Sequence, residues 1–147
     1  MSHRKMVTRE IARAVAQACL CLHVQRAARA LARHFDDVFR PLGITGGQYS
    51  LLMSLNRPEP PTIGDTAAFL AMDRTTLTAA LKALQRQKLV AVKADKIDGR
   101  VRRIELTPAG RAVLAKAYPI WAETHGAVEA KVSPSGAGPL RNELTRL

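Results

Sequence analysis

At 147 residues and 47% hydrophobic, the chain has the length for one domain with its own apolar core, and its composition is not that of a disordered segment. Its 23 Lys and Arg against 12 Asp and Glu leave a formal charge of +11, which favours a polyanionic partner. The apolar stretch at residues 18–24 is too short for a membrane span and contains His23, and residues 1–13 are charged throughout with no signal-peptide core, so a cytoplasmic protein without membrane contact is expected.

No proline or glycine falls between Thr8 and Arg40, and Val24, Ala28, Leu31, Phe35, Val38 and Leu42 recur at three-and-four spacing. This predicts one long helix over about residues 8–42, closed by Pro41 and Gly43. Thr45 caps a short second helix carrying Leu51, Leu52 and Leu55, which stops at the proline-rich loop 57–61. Thr62 starts a third helix with Asp65 three residues on and Ile63, Ala67 and Leu70 inward, ending near Ala71. Asp73 caps a fourth to about Gln87, with Leu77, Leu81 and Leu84 inward and Arg74, Thr75, Thr76, Thr78 and Lys82 outward. Two short helices joined by a tight link, one with a polar outer face, predict a helix-turn-helix.

Residues 89–95 and 101–107 alternate as two strands around the turn Lys96-Ile97-Asp98-Gly99. Thr107-Pro108 opens a fifth helix to about Lys131, with a kink expected at Pro119. Ser133-Pro134 repeats that start signal for a last short helix carrying Leu140, Leu144 and Leu147. The fold class is mainly α with a small β-hairpin: a winged helix-turn-helix, residues 45–107, between terminal helices 8–42 and 108–147 of one 1–147 unit.

Nine basic residues (Arg74, Lys82, Arg86, Lys88, Lys93, Lys96, Arg100, Arg102, Arg103) against Asp95 and Asp98 put +7 of the +11 between Arg74 and Arg103. The charge is thus concentrated on the fourth helix and the hairpin, the elements that a helix-in-groove reader brings to phosphates. Double-stranded DNA is the expected partner. The same charge would also serve an architectural protein that coats DNA without sequence preference.

An enzyme is not expected. No zinc-protease helix, phosphate-binding glycine loop or nucleophile elbow is present, and His3, His23, His34 and His125 have no matching carboxylate or thiol spacing. No cofactor is implied. Cys19 and Cys21 are too few for a secreted disulfide framework, which leaves either incidental or reactive thiols. With His23 they form a Cys-x-Cys-x-His string, but on a continuous helix Cys21 would point about 160–200° from the other two, which argues against a metal site.

The pieces Leu42-Gly43-Ile44-Thr45 with Gln48, Asp73-Arg74-Thr75-Thr76-Leu77-Thr78, and Lys88-Leu89-Val90 leading to Asp98-Gly99-Arg100 and Leu106-Thr107-Pro108-Ala109-Gly110 resemble the MarR family of bacterial transcriptional regulators. Asp-x-Arg followed at fixed distance by Leu-Thr-x-x-Gly is the most specific of them. The resemblance implies a homodimeric, sequence-specific DNA-binding regulator, of repressor type, acting on a pseudo-palindromic operator and released by a small aromatic or phenolic effector or by thiol oxidation. It places Arg74, Thr75, Thr76 and Thr78 at base edges or phosphates, Lys82 on the DNA backbone, Arg100 in the minor groove with Asp98 as its brace, and Arg102 beside it on the wing. The apolar excess at Val15, Leu20 and Leu22 and at Val128, Val132, Leu140, Leu144 and Leu147 goes to a two-fold interface.

In relatives that sense organic hydroperoxides a reactive cysteine sits early in the first helix. Ungapped alignment on Ile44-Thr45 and Gln48-Tyr49 puts Cys21 there, with Cys19 two residues before, while Gln25 and Phe35 stand where such sensors carry tyrosines. Two further departures are Lys88 in place of the family's glycine and Val92-Lys93 in place of an arginine pair.

Overall fold

A computed structural model describes residues 6–147; His3, and the start of the charged N-terminal segment, lie outside the described residues. In order along the chain come α1 (Arg9–Ala18), α2 (Leu20–Phe39), a 3-10 turn (Arg40–Leu42), α3 (Gly46–Ser54), α4 (Ile63–Phe69), α5 (Arg74–Arg86), β1 (Val90–Ala94), β2 (Arg102–Leu106), α6 (Pro108–Val132) and α7 (Gly138–Leu144).

Short polar side chains set most of these starts. The hydroxyls of Thr8, Thr45, Thr62 and Thr107 and the carboxylate of Asp73 each accept from the backbone amide three residues on, satisfying amides that have no partner inside the helix. At Thr45 the box is reciprocal, since Gln48 Oε1 accepts from the Thr45 amide at 3.0 Å.

The long first helix is two helices. Cys19 has extended backbone (φ −70°, ψ 105°), ends α1 and caps α2, its Sγ accepting from the Leu22 amide at 3.4 Å. His23 Nδ1 lies 2.8 Å from the Cys19 carbonyl oxygen. The thiol thus takes the amide that a continuous helix would give to the Ala18 carbonyl, while the Cys19 carbonyl keeps its ordinary helical partner, the His23 amide, at 3.2 Å; cysteine is not a helix-breaking residue type. The angular argument against a Cys-x-Cys-x-His metal site, which assumed a continuous helix, therefore does not apply here; among the described residues no cluster of three or more metal-ligating side chains occurs.

A second difference lies at Ser133. It closes α6 instead of opening α7, its amide donating to Glu129 and its hydroxyl to the Gly136 carbonyl at 2.8 Å. The final helix starts five residues later without a side-chain cap. Pro119 sits inside α6, which runs on as one helix through it.

The core lies where α2, α3, α5, the hairpin and α6 converge. Phe39, Leu51, Leu52, Leu77, Leu84 and Ile104 are fully buried there. An aromatic file runs along one side: Phe35, Phe39, Tyr49, Trp121 and His125, with Phe39 and Tyr49 ring centres 4.8 Å apart and Trp121 and His125 4.6 Å apart. Burial, with a smaller contribution from Tyr118, raises the Tyr49 pKa above its ordinary value.

Helices α4 and α5 end alike. Met72 N bonds Ala67 O (2.9 Å) and Ala71 N bonds Ala68 O (3.2 Å); Leu89 N bonds Leu84 O (3.0 Å) and Lys88 N bonds Gln85 O (2.9 Å). Each is a Schellman motif, whose turning residue adopts a left-handed backbone best suited to glycine. Here the turning residues are Ala71 (φ 50°) and Lys88 (φ 59°). The family's glycine at position 88 thus has a backbone reason, and the lysine holds the conformation at a strain of about 1 kcal/mol. Lys88→Gly is expected to raise unfolding stability by about that amount, read as a higher urea midpoint at unchanged slope.

Candidate nucleic-acid interface

One exposed face of α5 carries Arg74, Thr75, Thr78 and Lys82, which with Ala79 line a shallow depression. The apolar repeat Leu77, Leu81, Leu84 buries the opposite face and so fixes which residues point away from the core. Thr76 is drawn into the cap: its hydroxyl donates to Asp73 Oδ2 at 2.7 Å and its amide to Oδ1 at 2.8 Å. These bonds hold the Asp73 carboxyl below the usual range. The Thr78 hydroxyl donates to the Arg74 carbonyl at 2.7 Å, so toward a partner it acts as an acceptor. Arg74 folds over the first turn of α4; a Cβ at Gly64 would stand 2.8 Å from its Nη2, so the glycine leaves room for the guanidinium.

The hairpin is antiparallel, with Val90 opposite Leu106 and Ala94 opposite Arg102. Its loop is organised by two aspartates. Asp95 Oδ2 accepts from the amides of Ile97 and Asp98, each at 3.0 Å, and its other oxygen pairs with Arg103. The Asp98 amide above all, then Arg103 and the Ile97 amide, lower the Asp95 pKa to about 2. The stabilisation is present above the ordinary carboxylate pKa and is lost only as pH falls toward about 2, so the loop stays braced through the neutral range.

Asp98 Oδ1 accepts from Arg100 twice, from the amide at 3.1 Å and from Nε at 3.2 Å. The Arg100 side chain is 93% exposed, so this pair is weak and easily exchanged for a phosphate or groove contact. Arg102 is exposed at the start of β2.

The count of available charge changes. Arg103 belongs to the scaffold: besides Asp95 it donates from Nη1 to the Pro60 carbonyl at 2.8 Å, and the Ile104 amide donates to Pro61 at 3.0 Å, tying the wing root to the loop before α4. Lys93 pairs with Glu105 at 2.6 Å, so the Val92-Lys93 departure leaves that strand partly neutralised. With Arg100 on Asp98, six of the nine cations carry no ion pair among the described residues: Arg74, Lys82, Arg86, Lys88, Lys96 and Arg102.

Away from this face, Leu31, Phe35, Phe39, Gly46, Tyr49 and Trp121 line a largely apolar groove between α2, α3 and α6. Gln48 Nε2 donates to Gln87 Oε1 (3.1 Å), and Gln87 Nε2 to the Gly43 carbonyl (2.8 Å), joining the start of α3 to the end of α5. The Arg103 clamp and this glutamine link went unread in the sequence; the one hint was Asp95, one of only two acids in a basic stretch. Cys19 is half-buried and Cys21 exposed, the latter's Sγ accepting from Gln25 Nε2 at 3.2 Å.

A helix pair with its second helix exposed on a polar face, followed by a braced hairpin, defines a winged helix-turn-helix protein. Residues 42–101 match the model of the MarR family. The chain is 31% identical over 101 residues, 69% of each chain, to the organic hydroperoxide resistance transcriptional regulator of Bacillus subtilis. It is 35% identical over 74 residues, 48% of this chain and 42% of the relative, to the transcriptional activatory protein BadR of Rhodopseudomonas palustris. Among solved structures, the M. tuberculosis transcriptional regulator MosR in complex with DNA superimposes with a TM-score of 0.79 at 38% identity, covering 87% of this chain and 92% of that one. The chain belongs to the MarR family.

Proposed function

We propose that this chain is a sequence-specific DNA-binding transcriptional regulator that acts in the cytoplasm as a homodimer on a pseudo-palindromic operator. The observation that carries this is the juxtaposition of an exposed Arg74, Thr75, Thr78 and Lys82 face on α5 with a braced arginine at the wing tip. Residues 45–107 form the reading head in this view. Arg74, Thr75 and Thr78 read base edges, Thr76 shapes the helix start, Lys82 and Arg102 meet phosphates, and Arg100 reaches the minor groove from Asp98.

Residues 8–42 and 108–147 supply the dimer, since one protomer leaves Ile11, Val15, Leu20, Val132, Leu140 and Leu144 exposed. One winged helix covers too little DNA for tight binding, and two reading half-sites about one turn apart suffice. The test is competition. A fragment captured genome-wide by the full chain should outcompete random DNA by about three orders of magnitude or more. Equal competition would make it an architectural DNA-coating protein.

Two inducers fit. The aromatic walls of the Phe35, Tyr49 and Trp121 groove suit a small aromatic or phenolic effector. Thiol oxidation has its own support in the exposed Cys21 at the helix break and in the Bacillus subtilis relative's name. A hydroperoxide would oxidise the Cys21 thiolate to a sulfenic acid and leave as the alcohol; a second thiol would then displace water to form a disulfide. A reducible dimer band after peroxide, lost in Cys21→Ser, is the expected sign.

A further inference from the structure

We propose that Ile97, at the tip of the hairpin, enters the DNA minor groove beside Arg100 and disfavours G·C pairs there; this rests on the DNA-binding reading above. Ile97 is 97% exposed, and no large apolar side chain among the described residues is more so. A single exposed apolar residue is ordinary on a mobile surface, but this one is rigidly mounted. The Ile97 and Asp98 amides are both held at 3.0 Å by Asp95, which Arg103 holds in turn, and Arg103 is anchored on Pro60. The loop is closed on its other side by Val101 N to Asp98 O at 2.9 Å and Asp95 N to Val101 O at 2.8 Å.

A stiff turn that holds a β-branched aliphatic side chain in water lacks any internal packing reason for it; turns favour Gly, Asn, Asp and Ser. The surroundings name the partner's chemistry. Lys96, Arg100 and Arg102 flank Ile97, and the two nearby acids are both occupied, Asp98 by Arg100 and Asp95 by Arg103 and the loop amides, so the tip suits a polyanion with an apolar recess. The minor groove is such a recess, walled by deoxyribose, and proteins that use it commonly insert aliphatic side chains. At A·T pairs its floor is open. At G·C pairs the guanine 2-amino group protrudes and would lose its water against an isoleucine without gaining an acceptor. Arg100 would supply attraction to the groove's potential, and Ile97 exclusion by shape.

The two residues separate by salt. An apolar contact releases no counterions, whereas an arginine does. The probe is a labelled duplex that the full chain enriches from a random-sequence pool, titrated between about 50 and 200 mM salt. Ile97→Ala is expected to weaken binding about tenfold with the salt slope unchanged. Arg100→Ala is expected to lower the slope by about one per wing. Wild type should lose affinity when the pairs under the wing become G·C and regain it when inosine replaces guanine, while Ile97→Ala should scarcely distinguish the three. Ile97→Ala binding within about twofold of wild type, with Arg100→Ala weakened, overturns the Ile97 proposal alone. No effect of either substitution overturns the wing reading on which it rests.

Discussion

Gly110→Ala is expected to lower the melting temperature by on the order of 10 °C, a loss of about 3 kcal/mol or more. A Cβ at position 110 would stand 2.1 Å from the Leu89 carbonyl oxygen and 3.1 Å from its carbon. Both are backbone atoms, and neither can withdraw cheaply. Leu89 O accepts from the Thr107 amide at 3.1 Å, Thr107 Oγ1 donates to Lys88 O at 2.7 Å, and the Leu89 amide closes the Schellman motif of α5. Relief would therefore shift the end of α5, the start of the wing and the first turn of α6 together. Thermal unfolding followed by circular dichroism measures it; an unchanged transition would mean that α6 sits farther from the hairpin root than described.

Arg74→Ala is the substitution with the largest expected loss of binding, about a hundredfold across two half-sites. A forked arginine on guanine is worth about 1–3 kcal/mol per site, and Arg74 stands at the first position of α5. Arg74→Lys separates charge from shape. It keeps the cation and most of the salt slope but cannot fork, so it should bind operator and random DNA with a reduced ratio. A wild-type ratio in Arg74→Lys would reassign Arg74 to the phosphate backbone. The side chain is exposed, so neither change is expected to disturb the core.

The parts of the fold legible in the sequence are those decided within a few residues. Thr45, Thr62, Asp73 and Thr107 announce helix starts because a short oxygen-bearing side chain bonds an amide three positions on. The break at Cys19 escaped because a thiol cap, not a proline or glycine, marks it. Ser133-Pro134 misled because Ser133 turned its hydroxyl to Gly136. At the site, the concentration of charge was legible, but its distribution was not. Whether Arg103 reaches outward or inward depends on Pro60, forty-three residues away, and whether Lys93 is paired depends on strand register. Composition carries no information on either.

The aromatic file has a practical consequence. Trp121 is the chain's only tryptophan, set between Tyr49 and His125 on the wall of the groove. Excited at the red edge of the absorption band, where the two tyrosines do not absorb, the protein emits from a single indole beside the proposed effector site, so occupancy of that groove has a built-in optical signal that needs no label.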